Sequence, residues 1–431
     1  MKFIILIILL IYFSLQKHLI IKIKGGNYEL NQISKNNFVK SEEIMNILFY
    51  NDIFTLINVG KPKKELKFYF TFNDDKTILT GKEFSKYRSI SYKYNNITNE
   101  SSDLFEFQEN KDYKINDYHF NLSEIDSQNK CILGLKPSER NNLNINLLYQ
   151  LQKSGLIDER IFSFIYIENS ETHFKKELLL IGIMPKEYNL NYYLLNSMNE
   201  IKWANLTKIN NDNDNQKWEI KIDSFYTNFN LTKSKNTTKI EFVLEYNLII
   251  APDSFRNYLL ENLINLLIDK EVCKEDYFYN ERNKYPYIYY ECNQIENFQN
   301  KILYFDNKEL NETFEIKLED LFFRYDRKYF FGIIFNGENK KEKAENNIWK
   351  MGKIFYEKYF FVFDDENKRI GYYKINEEND NPYIILVSFI LFFIFIIALA
   401  FIGYFSKKKE NDKKDQDKMQ NNNKKEKEKK D

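Results

Sequence analysis

The run WKMGKIFYEKYFFVFDDENKRIGY, Trp349 to Tyr372, decides how the rest of this chain is read. Within it, residues 360–363 form a block of aromatic and β-branched side chains, the composition of a strand. Short runs of the same character lie at 68–72, 161–167, 178–183, 219–222, 239–244 and 301–305, separated by Asn, Asp and Lys turns. Few stretches favour helix. Residues 144–154 place apolar side chains at helical spacing, and 254–268 do so behind Pro252 and Asp253, a plausible start signal. The expected class is all-β with a few short helices. Only 12 glycines are present, so Asn and Asp must take turn positions that other β proteins give to Gly.

Composition narrows the functional classes. The 63 basic and 63 acidic side chains balance, which argues against a nucleic-acid partner. Three cysteines exclude a disulfide-stapled mini-domain scaffold, and 17% aromatic residues exclude wholesale disorder. Two segments set an expected topology. Residues 1–16 carry one Lys and then an apolar run, the pattern of a secretory signal peptide. Residues 383–405 hold no charge and suffice to span a bilayer core of about 30 Å as a helix. Lys407, Lys408 and Lys409 follow at once, whereas Glu377, Glu378 and Asp380 lie on the other side. The positive-inside rule then puts the tail in the cytosol, as in a single-pass type I membrane protein. Tail 406–431 has 11 Lys against 7 acidic residues and Met419 as its one apolar side chain, so it is expected to stay disordered. Lys427 and Lys429 have the spacing of an ER-retrieval signal.

Segment 17–382 fits a lumenal or extracellular setting. Glycosylation sequons start at Asn96, Asn99, Asn121, Asn205, Asn230, Asn236 and Asn311, all before the apolar span. Cys273 and Cys292 are close in sequence and are expected to pair in an oxidising space, leaving Cys131 as a buried thiol. The isolated His18, His119 and His173 give no support for a metal site or a Ser-His triad.

Trp349, Gly352, Phe355, Tyr359, Val362, Phe363, Asp364, Arg369, Ile370 and Gly371 stand in the order and spacing of the C-terminal signature of pepsin-like aspartic proteases. The chain resembles that family further at Val59-Gly60-Lys61-Pro62, Ile132-Leu133-Gly134-Leu135, Gly155-Leu156-Ile157, Trp218 to Ile222, Ala251-Pro252 and the Cys273–Cys292 pair. The resemblance implies a bilobal all-β fold, with an N-terminal lobe at 17–200, a C-terminal lobe at 201–382 and a cleft between them. It also implies one aspartate per lobe, each followed by Thr/Ser-Gly, the two sharing one proton.

Counted on the family pattern, those positions hold Thr71 and Val243. Asp74 and Asp75 need a slip along the chain and lack a following Gly, and Glu245 needs a two-residue gap. Tyr92 and Tyr94 are the candidates for the substrate-covering flap, but no Gly accompanies them. No catalytic residue, metal or cofactor is therefore expected. The function implied is that of a membrane-anchored pseudoprotease in the secretory pathway, with a peptide or protein ligand in the cleft. The alternative is an active endopeptidase whose dyad, drawn from Asp74, Asp75 and Glu245, is displaced.

Overall fold

The computed structural model describes residues 17–25, 40–81, 83–107, 113–123, 130–169, 174–185, 201–207, 216–230, 234, 237–279, 285–337 and 348–373. The chain divides into two compact units, Met1–Ile375 and Asn376–Asp431, and every described residue belongs to the first. It is built mostly of β-sheet with a few short helices. Residues 1–16, His173, Asn236, segment 383–405 and the tail with Lys427 and Lys429 lie outside the described residues. Among those described, no helix is long and apolar enough to cross a membrane.

Among the described residues, three large sheets and one small one are formed. The first has eight strands, in the order Lys24–Gly25, Ile53–Val59, Lys64–Thr71, Cys131–Gly134, Thr77–Thr80, Lys114–Ser123, Glu100–Phe107 and Lys93–Asn95. Ile53–Val59 also pairs with Glu100–Phe107, so this sheet curls back on itself. The sequence explains it locally: IFTLINV alternates buried and half-buried side chains over its whole length, as a strand with one core face requires. The second sheet is assembled from strands between Glu219 and Met351, with Thr238–Phe242, Ile348–Met351, Ile249–Ala251, Ile333–Asn336 and Tyr287–Cys292 adjacent in that order. The third has six strands drawn from distant parts of the chain: Leu19–Lys22, Phe174–Ile181, Ile161–Asn169, Phe360–Asp364, Arg369–Tyr373 and Lys202–Asn205.

The run 349–372 spans two of these sheets. Ile348–Met351 is a strand of the second, Lys353–Tyr356 one helical turn, and Phe360–Asp364 with Arg369–Tyr373 a hairpin in the third. An aromatic cluster joins them: Phe363 stacks on Phe162 at 4.9 Å and meets Trp218 at 5.1 Å and Phe72 at 5.1 Å. The buried Trp218 indole donates to Leu135 O at 2.6 Å, so its polar atom is satisfied.

The helical stretches appear with shifted ends. Leu147–Lys153 is capped by Asn146, whose side chain accepts from Tyr149 N–H. Asp253–Leu259 continues through a wider turn, Leu260–Ile264, into Asn265–Asp269. Asn99, Asn300, Asn311 and Asp326 all adopt left-handed backbone, taking turn positions in this glycine-poor chain. Cys273 and Cys292 sit opposite each other on paired strands and are disulfide-bonded, and Cys131 is a buried free thiol.

Candidate functional site

The first and second sheets each contain the same crossed loop. In the first, Phe70 and Thr71 run parallel to Leu133 and Gly134, and Thr77 and Ile78 return antiparallel to Leu133 and Ile132. In the second, Phe242 runs parallel to Met351, which brings Val243 level with Gly352, and Ile249 and Ile250 return beside Met351 and Lys350. Outward of these, Ile78 runs parallel to Asn121 and Ile250 to Ile334. Each loop thus straddles a glycine-bearing strand. A Cβ on Gly134 would stand 2.6 Å from Lys76 N and O, and one on Gly352 would stand 2.6 Å from Tyr246 O. No side chain fits either crossing, which is why glycine holds both. By this internal repeat Thr71 and Val243 are equivalent positions.

Where the two loops meet, Glu245 reaches across. Its Oε1 accepts from the Thr71 hydroxyl, from Phe72 N–H at 2.9 Å and from Asn73 N–H at 3.3 Å. Its Oε2 is buried without a hydrogen-bond partner. Burial pushes the Glu245 carboxyl above the usual carboxylate range, and the three donors only partly offset that. Val243 is a buried apolar side chain whose N–H donates to Met351 O at 3.0 Å. Sequence counting required a gap to bring Glu245 to this place. The structure needs none, because Val243 keeps its register and the longer side chain of Glu245 covers the distance.

The other candidates are used elsewhere. Asp74 accepts from Lys76 N–H at 2.9 Å within its own turn, and burial raises its pKa. Asp75 accepts from Glu139 N–H at 2.9 Å, tying the first loop to segment 136–139. Tyr92 is half-buried with its hydroxyl 2.9 Å from Ser101 Oγ. Tyr94 is 53% exposed in strand Lys93–Asn95 and donates to Asn99 Oδ1 at 3.0 Å.

One contributor has no motif in the sequence. Helix Ser41–Phe49 packs Ile44, Met45, Leu48 and Phe49 on Leu248, Ile250, Phe278, Tyr287 and Ile334 of the second sheet. Asn51, just beyond it, donates its N–H to Glu245 O at 2.9 Å and its side-chain amide to Leu244 O at 2.8 Å. Asn247 in turn donates to Leu48 O and Tyr50 O. The helix therefore buries Leu248 and Ile250, whereas Lys76 and Ile78, their counterparts in the first loop, stay half-buried. The two loops are alike in backbone and unlike in covering.

A family model for eukaryotic aspartyl protease matches residues 124–375. The chain belongs to that family. No curated protein matches the chain by sequence. Proteolysis in pepsin-like enzymes depends on two carboxyls close enough to share a proton. At the two repeat-related positions of the crossed loops this chain carries the Thr71 hydroxyl and the Val243 isopropyl group, and one carboxyl enters from Glu245. Because Oε1 is saturated with donors and Oε2 is sealed, the carboxyl is arranged as a bridge between loops. Of the sequon residues, Asn96, Asn99, Asn205 and Asn311 are exposed, whereas Asn121 and Asn230 are half-buried.

Proposed function

We propose that this chain is a membrane-anchored, bilobal, pepsin-like pseudoprotease that binds a peptide or protein in the secretory pathway or at the cell surface. The observation that carries the reading is the pair Thr71 and Val243 at equivalent loop positions. Neither side chain takes or gives a proton in the acidic range where an aspartate dyad works. Without a positioned base, hydrolysis forfeits at least the roughly 10²–10⁴-fold that general acid–base catalysis contributes. Helix Ser41–Phe49 is compatible with the same reading, since it covers the second-sheet side of the loop junction, while Lys76 and Ile78 on the first-sheet side stay half-buried. Signal 1–16, span 383–405 and the cytosolic lysines supply the proposed anchoring, and Lys427 and Lys429 a proposed retrieval to the ER.

One observation favours the rival reading of an active endopeptidase. Glu245 is a carboxyl with a raised pKa at the loop junction, the profile of a general acid. The test is incubation of the purified chain with a denatured protein from about pH 3 to pH 7. No cleavage is expected. Cleavage abolished by Glu245→Gln, Asp74→Asn or Asp75→Asn would establish a displaced catalytic site and end the pseudoprotease reading.

A further inference from the structure

Tyr87 and Ile90, three residues apart, are 89% and 87% exposed. They do not stand on a loose loop. Ile90 N–H donates to Lys61 O at 2.8 Å, Lys61 N–H donates to Ser89 Oγ at 3.1 Å, and Arg88 N–H closes a turn on Ser85 O at 3.1 Å. Phe84 anchors the start of the segment in the core at 3% exposure. These bonds lay the turn 61–64 alongside 84–90 and form one pinned knuckle.

The surroundings are basic. Lys61, Lys63, Lys64 and Arg88 are exposed, and Lys86 Nζ lies 5.5 Å from the Tyr87 ring centre. Glu65 and Glu83 flank the two segments, while Glu106 pairs with Lys63 from a neighbouring strand. Basic side chains thus outnumber acidic ones around two protruding apolar tips.

Each feature alone is ordinary on a protein surface, but their combination selects a partner. A side chain almost wholly exposed has no walls around it, so the knuckle is convex and offers a peptide no groove. A lipid surface needs no shape match. Ile90 can enter its acyl boundary, Tyr87 can rest at headgroup level with its hydroxyl wet, and the lysines and Arg88 can face lipid phosphates. We infer that the knuckle formed by 61–64 and 84–90 docks on an anionic lipid surface. This is independent of whether the loop junction is catalytic, and with 17–382 lumenal or extracellular, as proposed, the surface it requires is anionic lipid in the leaflet on that side rather than the cytosolic one.

The test uses the full chain carrying Ile90→Trp, reconstituted with phosphatidylcholine vesicles with or without phosphatidylserine, both bearing brominated acyl chains. Quenching in excess of the unsubstituted chain is expected in the phosphatidylserine vesicles and is expected to fall with added salt. Lys86→Gln and Arg88→Gln should each weaken the interaction by about fivefold, the value of one basic residue at an anionic surface. Circular dichroism checks that these surface variants are folded. Absence of excess quenching with phosphatidylserine would overturn the inference. Equal quenching with both lipids would do the same, because the basic ring would then play no part. A blue shift with soluble poly-glutamate and none with vesicles would assign the knuckle to an acidic protein instead.

Discussion

Glu245 places a buried carboxyl where the two crossed loops meet. Burial raises its carboxyl pKa from the ordinary 4.5, so the folded state holds that proton more tightly than the unfolded chain. The sign follows. Its contribution to stability is fully present below about 4.5 and is lost as pH rises through the raised value. Glu275 and Asp276, held low by their partners, act in the opposite sense, so the whole-protein profile mixes both. The informative quantity is therefore the difference between wild type and Glu245→Gln in urea unfolding. Wild type should gain relative to the variant as pH falls toward 4.5; a flat difference would mean that the carboxyl is unshifted. Thr71→Val removes the hydroxyl that donates to the same buried carboxyl and should cost about 1–3 kcal/mol in urea unfolding. Residue counting picked out Thr71 and Val243, which the crossed loops hold at matching registers, since loop position is a matter of spacing along one strand. It could not place the Glu245 carboxyl, because side-chain reach between two distant loops leaves no mark in linear spacing.

The helix Ser41–Phe49 shows the same boundary of legibility for an element. Its nine residues include Glu42 and Glu43 in the first turn, which favour an N-terminus, but no side chain caps it. A helix so short is marginal alone, and it owes its existence to the apolar face beneath it. That face is built from strands more than 200 residues away, such as Tyr287–Cys292 and Ile333–Asn336. By contrast, Leu147–Lys153 was legible because its pattern and its Asn146 cap are local. Phe49 is the central contact, with Tyr246 at 4.4 Å, Tyr287 at 5.0 Å and Phe278 at 5.7 Å between ring centres. Phe49→Ala should cost about 3–5 kcal/mol, the range for emptying a core site of this size. Urea unfolding measures it. A loss below 1 kcal/mol would mean that the helix detaches readily from the second sheet, which also predicts dye binding to the uncovered face.

Across the whole molecule, composition marked some strands, such as Ile161–Asn169 and Phe360–Asp364, left others, such as Ile53–Val59 and Lys114–Ser123, unmarked, and gave no sheet membership. Leu19–Lys22 pairs with residues of Phe174–Ile181, and Ile161–Asn169 pairs with Phe360–Asp364, so sheet membership rests on contacts across most of the chain. The family signature supplied what periodicity could not, because it fixes the order of elements around the crossed loops. The proposed orientation can be joined to the fold by accessibility. An N-linked oligosaccharide is bulky and solubilising, so the folded unit accommodates it without cost at an exposed Asn. In the folded unit Asn96 and Asn99 sit at a hairpin tip, Asn205 lies at the end of strand Lys202–Asn205, and Asn311 occupies a left-handed turn. Asn230 instead donates to Asn262 from a half-buried site. If 17–382 is lumenal, glycosidase should lower the mass of the chain, and Asn→Gln at the four exposed sites should each remove part of that shift. Protease added to sealed membranes should then trim only 406–431. Digestion of the region from Asn96 to Asn311 by outside protease, with no glycosidase-sensitive mass, would place the fold in the cytosol and remove the oxidising setting invoked for Cys273–Cys292.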